Sequence, residues 1–159
     1  GCEIVDGAIS SMAGLTSQPS LNGVVAAMAG DRRCPEVPLP VLDELARYWQ
    51  VVRQMYSDFD PGLQSTSTDV YDHEIPGGQY SNLYEQARSV GVSPQDFHAL
   101  TKRYREVNAA FGDLIKVTPS SKVVGDMALL LQKHGLTGPE WLDKRPRLDY
   151  PDSVVGLMR

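Results

Sequence analysis

The 159-residue sequence is poor in cysteine, in clustered positive charge and in long apolar runs, and each shortage closes off a class of function. Its two cysteines, Cys2 and Cys34, lie far apart with no C-x-x-C spacing. That pattern supports neither a thiolate metal site nor a disulfide scaffold, and both read as reduced thiols. Lys and Arg number 15 against 20 Asp and Glu, for a net charge of −5, and the basic residues are scattered. Neutralising phosphates needs clustered Lys and Arg, so no nucleic-acid partner is expected. No apolar run approaches the roughly 18 residues of a membrane span, and G-C-E-I-V-D lacks the basic region of a signal peptide. The expected location is therefore the cytoplasm or an organelle matrix, without a membrane partner. No G-x-x-x-x-G-K, G-x-G-x-x-G, G-x-S-x-G or H-E-x-x-H string occurs, which withholds support from phosphate loops, dinucleotide folds, nucleophile elbows and zincin sites.

What remains is ordinary globular material: 42% hydrophobic and 22% charged residues, in a length suited to one domain with a real core. Residues 3–9, E-I-V-D-G-A-I, read as a short buried parallel strand, which needs neighbours on both sides. Nothing here precedes it, so the chain is expected to be a piece of a larger domain. Leu21, Val24, Val25 and Met28 then recur at helical spacing, giving strand, loop and helix in order. Pro35, Pro38 and Pro40 mark a connector over 31–40. A long helix is predicted from about Leu39 to Phe59, with Leu42, Leu45, Trp49, Val52, Tyr56 and Phe59 on its apolar face and Asp43, Glu44, Arg47, Gln50, Arg53 and Gln54 toward water.

In D-V-Y-D-H-E-I, the positions of Val70, Tyr71, His73 and Ile75 suggest a second short strand over 69–75. A helix is predicted from Ser81 or Asn82 to Val90, stopped by Gly91. Ser93-Pro94-Gln95-Asp96 forms a capping box ahead of a helix faced by Phe97, Leu100, Tyr104, Val107 and Phe111. Thr118-Pro119 opens another helix, with Val123, Val124, Met127, Leu130 and Leu131 apolar, closed by His134-Gly135. Short helical turns are expected at 139–144 and 152–158. The fold class is mainly α with two short β-strands, divided into a strand, loop and helix segment over 1–38 and a helical subdomain over 39–159.

Two loops stand out. A-G-L-T-S-Q-P-S and I-P-G-G-Q-Y-S-N-L each follow a predicted strand, contain Gly and lead into a helix N-terminus, which suits a polar or anionic guest; tight turns with N-caps explain the same composition. Residues 10–20 hold five hydroxyl side chains and no charge at all. His98 and His134 read as solvated or structural. His73, in D-H-E at a strand end, reads either as structural or as lining a site.

S-S-M-A-G-L-T-S-Q-P-S, D-V-Y-D-H-E-I-P-G-G-Q-Y-S-N-L, F-G-D-L-I-K-V-T-P-S-S-K-V-V-G-D-M-A-L-L-L and Y-P-D-S-V-V occur in that order over nearly the whole chain. Together they closely resemble the C-terminal part of the carboxyltransferase domain of the pyruvate carboxylases. The oxaloacetate decarboxylase alpha subunits share the P-G-G and V-T-P-S patterns but are less similar around T-S-Q-P-S. The resemblance implies the terminal β/α units of a TIM-type barrel and a helical C-terminal subdomain. It implies transfer of a carboxyl group from carboxybiotin to pyruvate, giving oxaloacetate. Thr16 would relay a proton between the substrate methyl and the biotin ureido group, with Ser17, Gln18, Ser20, Gly77, Gly78 and Gln79 shaping the pocket.

The same resemblance implies partners and cofactors: the remainder of the barrel, a biotin carrier domain, biotin carried there, and a homo-oligomeric parent enzyme in the cytoplasm or, in a eukaryote, the mitochondrial matrix. The family's divalent metal (Zn or Mn) is held by an Asp, a carboxylated Lys and an H-x-H pair, none of them in this chain, and no biotin-attachment M-K-M string is present. No metal ligand is expected here, and the chain alone is expected to be inactive. The other readings are a piece of a decarboxylase alpha subunit and a non-catalytic helical assembly module.

Overall fold

The computed structural model describes residues 2–60, 62–63, 67–137, 141–142 and 147–159. It is mainly helical, and by contact it falls into two units, Gly1–Thr66 and Ser67–Arg159. By contact the two units meet at 66/67, and α2 (Leu39–Gln54) is bonded to the residues that precede it.

In the first unit the strand predicted over 3–9 does not form. Ala8 makes one isolated parallel bridge to Ser20, with its N–H donating to Pro19 O at 2.9 Å and Leu21 N–H donating to Ala8 O at 2.8 Å. A lone extended segment has no neighbour to satisfy its ladder, and Ile4 and Val5 stay exposed. A 3-10 turn, Ser10–Met12, follows. Ser20 then caps α1 (Leu21–Ala27), its Oγ accepting from Gly23 N–H at 3.2 Å.

Helix α2 starts where predicted, with Pro40 in its first turn, but ends at Gln54; residues Ser57–Phe59 form a separate 3-10 turn. Tyr56 N–H donates to Arg53 O and Phe59 N–H to Tyr56 O, the tighter pattern of a closing helix. The orientation of α2 also differs from the sequence reading. Leu42 is buried, yet Leu45, Trp49, Tyr56 and Phe59 are exposed, while Asp43 and Arg53, expected in water, bond to the loop and to α1.

In the second unit the predicted strand at 69–75 is instead a single helical turn, α3 (Val70–His73). With no neighbouring strand to pair with, local bonds such as His73 N–H to Asp69 O at 2.9 Å satisfy its backbone. The turn stops at Glu74, whose φ of 56° is left-handed and whose carboxylate accepts from Lys116 Nζ at 2.7 Å. Helix α4 (Gly77–Ser89) begins four or five residues earlier than the predicted Ser81 or Asn82, right after Pro76.

The capping box forms as read: Ser93 Oγ accepts from Asp96 N–H at 3.1 Å and donates to Asp96 Oδ2 at 2.7 Å. Helix α5 (Pro94–Ala110) buries Phe97, Leu100, Tyr104 and Val107, and α6 (Ser120–Lys133) buries Val123, Val124, Met127 and Leu131, so the two predicted faces make the core of this unit. α7 (Asp152–Leu157) packs on α6 through Val154. Trp141 is buried edge-on to Phe111, with 6.5 Å between ring centroids. Most of the turn predicted at 139–144 lies outside the described residues. Among the described residues no helix is long and apolar enough to cross a membrane.

Candidate active site

The uncharged loop closes on itself. Its two ends meet at the Ala8–Ser20 bridge, and inside it Gly14 N–H donates to Gln18 O and Ser17 N–H to Gly14 O, both at 2.8 Å. The turn needs two consecutive left-handed residues, Gly14 at φ 76° and Leu15 at φ 52°. Gly14 adopts this freely, whereas Leu15 has a Cβ that opposes it at a cost of about 1–2 kcal/mol. Such strain persists only where the surroundings hold it, and it gathers at functional loops. Thr16 follows immediately, half-buried at the apex; Ser17 and Gln18 are exposed. Ser20 Oγ is engaged in capping α1.

Two side chains tie this loop to the helices beside it. Asn22 Oδ1 accepts from Ser10 N–H at 3.0 Å while its Nδ2 donates to Asp43 Oδ1 at 2.8 Å. Arg53 donates through Nη1 to Ser11 O at 3.0 Å and through Nη2 to Asp60 Oδ2 at 2.8 Å. The Arg53 guanidinium, and after it the Gly62 N–H, hold the Asp60 carboxyl below the usual carboxylate range. Thr16 and Ser17 line a cavity of about 220 Å³ whose other walls include Leu15, Arg53, Tyr56 and Phe59. The cavity is mostly apolar, and Arg53, the one cation lining it among the described residues, is matched by the adjacent Asp60 carboxylate. This environment suits movement of a proton without a competing charge.

The remaining predicted pocket residues belong to the second unit. Gly77 and Gly78 open α4, with Gly78 exposed. Gln79 is buried, its Nε2 is without a hydrogen-bond partner, and it lies over Gly125 of α6. His73 is buried as well: its Nδ1 accepts from Ile75 N–H at 2.9 Å and its ring lies 5.2 Å from that of Tyr80. Burial pushes its pKa below the usual 6.5, against the pull of Asp69 and Asp72. His98 and His134 are exposed. Among the described residues no three His, Cys, Asp or Glu side chains come together as a metal site.

Sequence reasoning missed Arg53, Asp60, Asn22 and Asp43. A signal was present: Asp43, Gln50 and Arg53 stand at helical steps of seven and three, a polar stripe as regular as the apolar one.

Comparison with known proteins gives this arrangement its family. Residues 70–159 match the family model described as the conserved carboxylase domain, and the chain belongs to that family. Over its whole length it is 50% identical to pyruvate carboxylase of Bacillus subtilis, of which it spans 14%. It is 44% identical to mitochondrial pyruvate carboxylase of Rattus norvegicus, again over 14% of that protein. Among solved structures, the carboxyl transferase domain of Rhizobium etli pyruvate carboxylase with pyruvate and biocytin is similar at a TM-score of 0.90 and 41% identity, covering 97% of this chain and 26% of that one. The chain therefore spans about one seventh of the length of these curated relatives.

Proposed function

We propose that this chain supplies the closing part of the carboxyltransferase site of a biotin-dependent pyruvate carboxylase. In the intact protein, residues 1–38 would complete a TIM-type barrel through a strand that gains its partners there, and 39–159 would form the helical subdomain. Biotin, brought by a carrier domain, supplies the carboxyl group that converts pyruvate to oxaloacetate. Leu15, Tyr56 and Phe59 offer apolar walls suited to its ring, and Thr16 and Ser17 offer the polar edge. With substrate and biotin bound, Thr16 Oγ1 would take the proton leaving the substrate methyl and give its own to the ureido nitrogen, so the hydroxyl would end unchanged. The parent enzyme would be a homo-oligomer of the cytoplasm or, in a eukaryote, of the mitochondrial matrix.

The observation that carries this reading is the placement of Thr16 directly after a strained left-handed turn, on the wall of a small cavity. Thr16→Ala in the full-length protein is expected to lower carboxyl transfer by about 10²–10⁴-fold, the usual contribution of a positioned proton-transfer group. Thr16→Ser, which keeps the hydroxyl and frees its rotamer, should retain part of the rate. Carboxylation of biotin should change in neither. A normal rate in Thr16→Ala with a lowered melting temperature would reduce Thr16 to a packing residue.

A further inference from the structure

We propose that Arg53 is the positioning residue of the carboxyl-transfer site, fixing the loop that carries Thr16. This inference rests on the proton-relay reading of Thr16 and adds a second residue to it, on a different element.

The loop is a closed ring rooted at the Ala8–Ser20 bridge, with a tie close to that root where Asn22 Oδ1 accepts from Ser10 N–H at 3.0 Å. Both of these ties lie at Ala8, Ser10 and Ser20, so a ring held by them alone can still tilt, and its apex moves furthest. Within the ring, Leu15 adopts a backbone conformation that a branched side chain resists, so relaxation would carry Thr16 with it. Arg53 acts away from the root. Its Nη1 holds the Ser11 carbonyl at 3.0 Å, on the limb leading to the apex. Its Nη2 is held by Asp60 Oδ2 at 2.8 Å, and Asp60 Oδ1 is fixed in turn by Gly62 N–H at 2.9 Å. The guanidinium thus spans two segments that flank one cavity, with two donors of one rigid plane on two different partners. An ammonium could reach either acceptor but cannot reproduce that fixed fork. Asp60 also cancels the guanidinium's charge beside the cavity, so the clamp does not introduce a net cation where a proton must pass.

The arrangement differs from an ordinary surface ion pair, whose removal has little effect. The Arg53–Asp60 pair is partly exposed, but the bond that matters runs from the same guanidinium to a backbone carbonyl of the loop. Because Arg53 acts through Thr16, its loss should be felt in the chemical step and only where Thr16 is present.

The test uses the full-length protein and four variants: Arg53→Met, Arg53→Lys, Thr16→Ala and Thr16→Ala combined with Arg53→Met. Arg53→Met should lower kcat for carboxyl transfer to pyruvate by about 10²-fold, the effect of a misplacement near 1 Å, with KM for pyruvate within about twofold and biotin carboxylation unchanged. Arg53→Lys should recover no more than about a tenth of the lost rate. The double variant should be as slow as Thr16→Ala alone, since a positioning effect disappears with the group positioned. Amide exchange at Gly14 and Ser17 should quicken in Arg53→Met even if the variant is too unstable for kinetics, and unchanged exchange would overturn the clamp. A slow Thr16→Ala beside a normal Arg53→Met, or losses that multiply in the double variant, would overturn the role of Arg53 while leaving the relay standing. A normal rate in Thr16→Ala would remove both.

Discussion

Gln79 Nε2 occupies the space that a side chain at position 125 would need: a Cβ on Gly125 would stand 2.7 Å from it. Gly125 lies inside α6, where glycine costs roughly 0.5–1 kcal/mol relative to alanine, so its presence calls for a packing reason. Gly125→Ala should improve the helix and yet destabilise the second unit by up to about 1 kcal/mol net, because the buried Gln79 amide must shift to admit the methyl, whereas Leu83 Cδ1 at 3.5 Å stays in ordinary contact. Adding Gln79→Ala should reverse the loss, since Nε2 gives up no hydrogen bond. Amide exchange along α6 in the single and double variants reads the difference. A Gly125→Ala variant at least as protected as the parent would show that Gln79 moves aside freely.

Ser20 separates a structural hydroxyl from a chemical one. Its Oγ caps a helix of seven residues, so Ser20→Ala should cost about 1 kcal/mol, visible as faster exchange in α1. Ser20→Asp keeps a capping oxygen and adds a charge favourable at a helix N-terminus, so α1 should stay protected. If Ser20→Asp also keeps the carboxyl-transfer rate, the hydroxyl serves the cap alone; a protected α1 with a rate reduced tenfold or more would return Ser20 to the pocket.

The environment of His73 predicts a pH dependence with a definite sign. Burial lowers its folded-state pKa below the usual 6.5 despite Asp69 and Asp72, with the nearby His98 acting in the same direction as burial. The unfolded chain therefore binds the proton more readily. The stabilisation is complete above about pH 6.5 and is lost as pH falls through the folded pKa. Protonation would also place a second N–H against the Ile75 N–H that Nδ1 now accepts. Protection of the 70–80 backbone should fall between pH 7 and 5, and His73→Asn, whose Oδ1 can accept from Ile75, should flatten that slope. A slope unchanged by this substitution would assign it to another group.

These sites mark how far the sequence could be read. The faces of α5 and α6 were legible because seventeen and fourteen residues repeat the helical period several times, and Phe97, Leu100, Tyr104 and Val107 are buried as their spacing predicts. The four residues of α3 cannot display a period, and Val70, Tyr71 and His73 satisfy alternation by accident. The 3–9 segment has strand composition, but composition does not supply the neighbours a strand requires. Thr16 was singled out through the resemblance that the T-S-Q-P-S string carries, since its residue types alone suit a capped turn equally well. Arg53 was not, because a charged residue at helical spacing reads as solvated until the chain that folds back over it is known. For α2 the sequence showed two faces and no indication of which one would meet the loop.

The two tryptophans fall one to each unit, in opposite surroundings. Trp49 stands on α2, edge-on to Tyr48 and 39% exposed, whereas Trp141 is 8% exposed beside Phe111. Their emission should therefore differ in colour, longer in wavelength from Trp49 and shorter from Trp141. With Trp49→Phe and Trp141→Phe as single-colour references, one cuvette then follows each half of the chain separately as it melts.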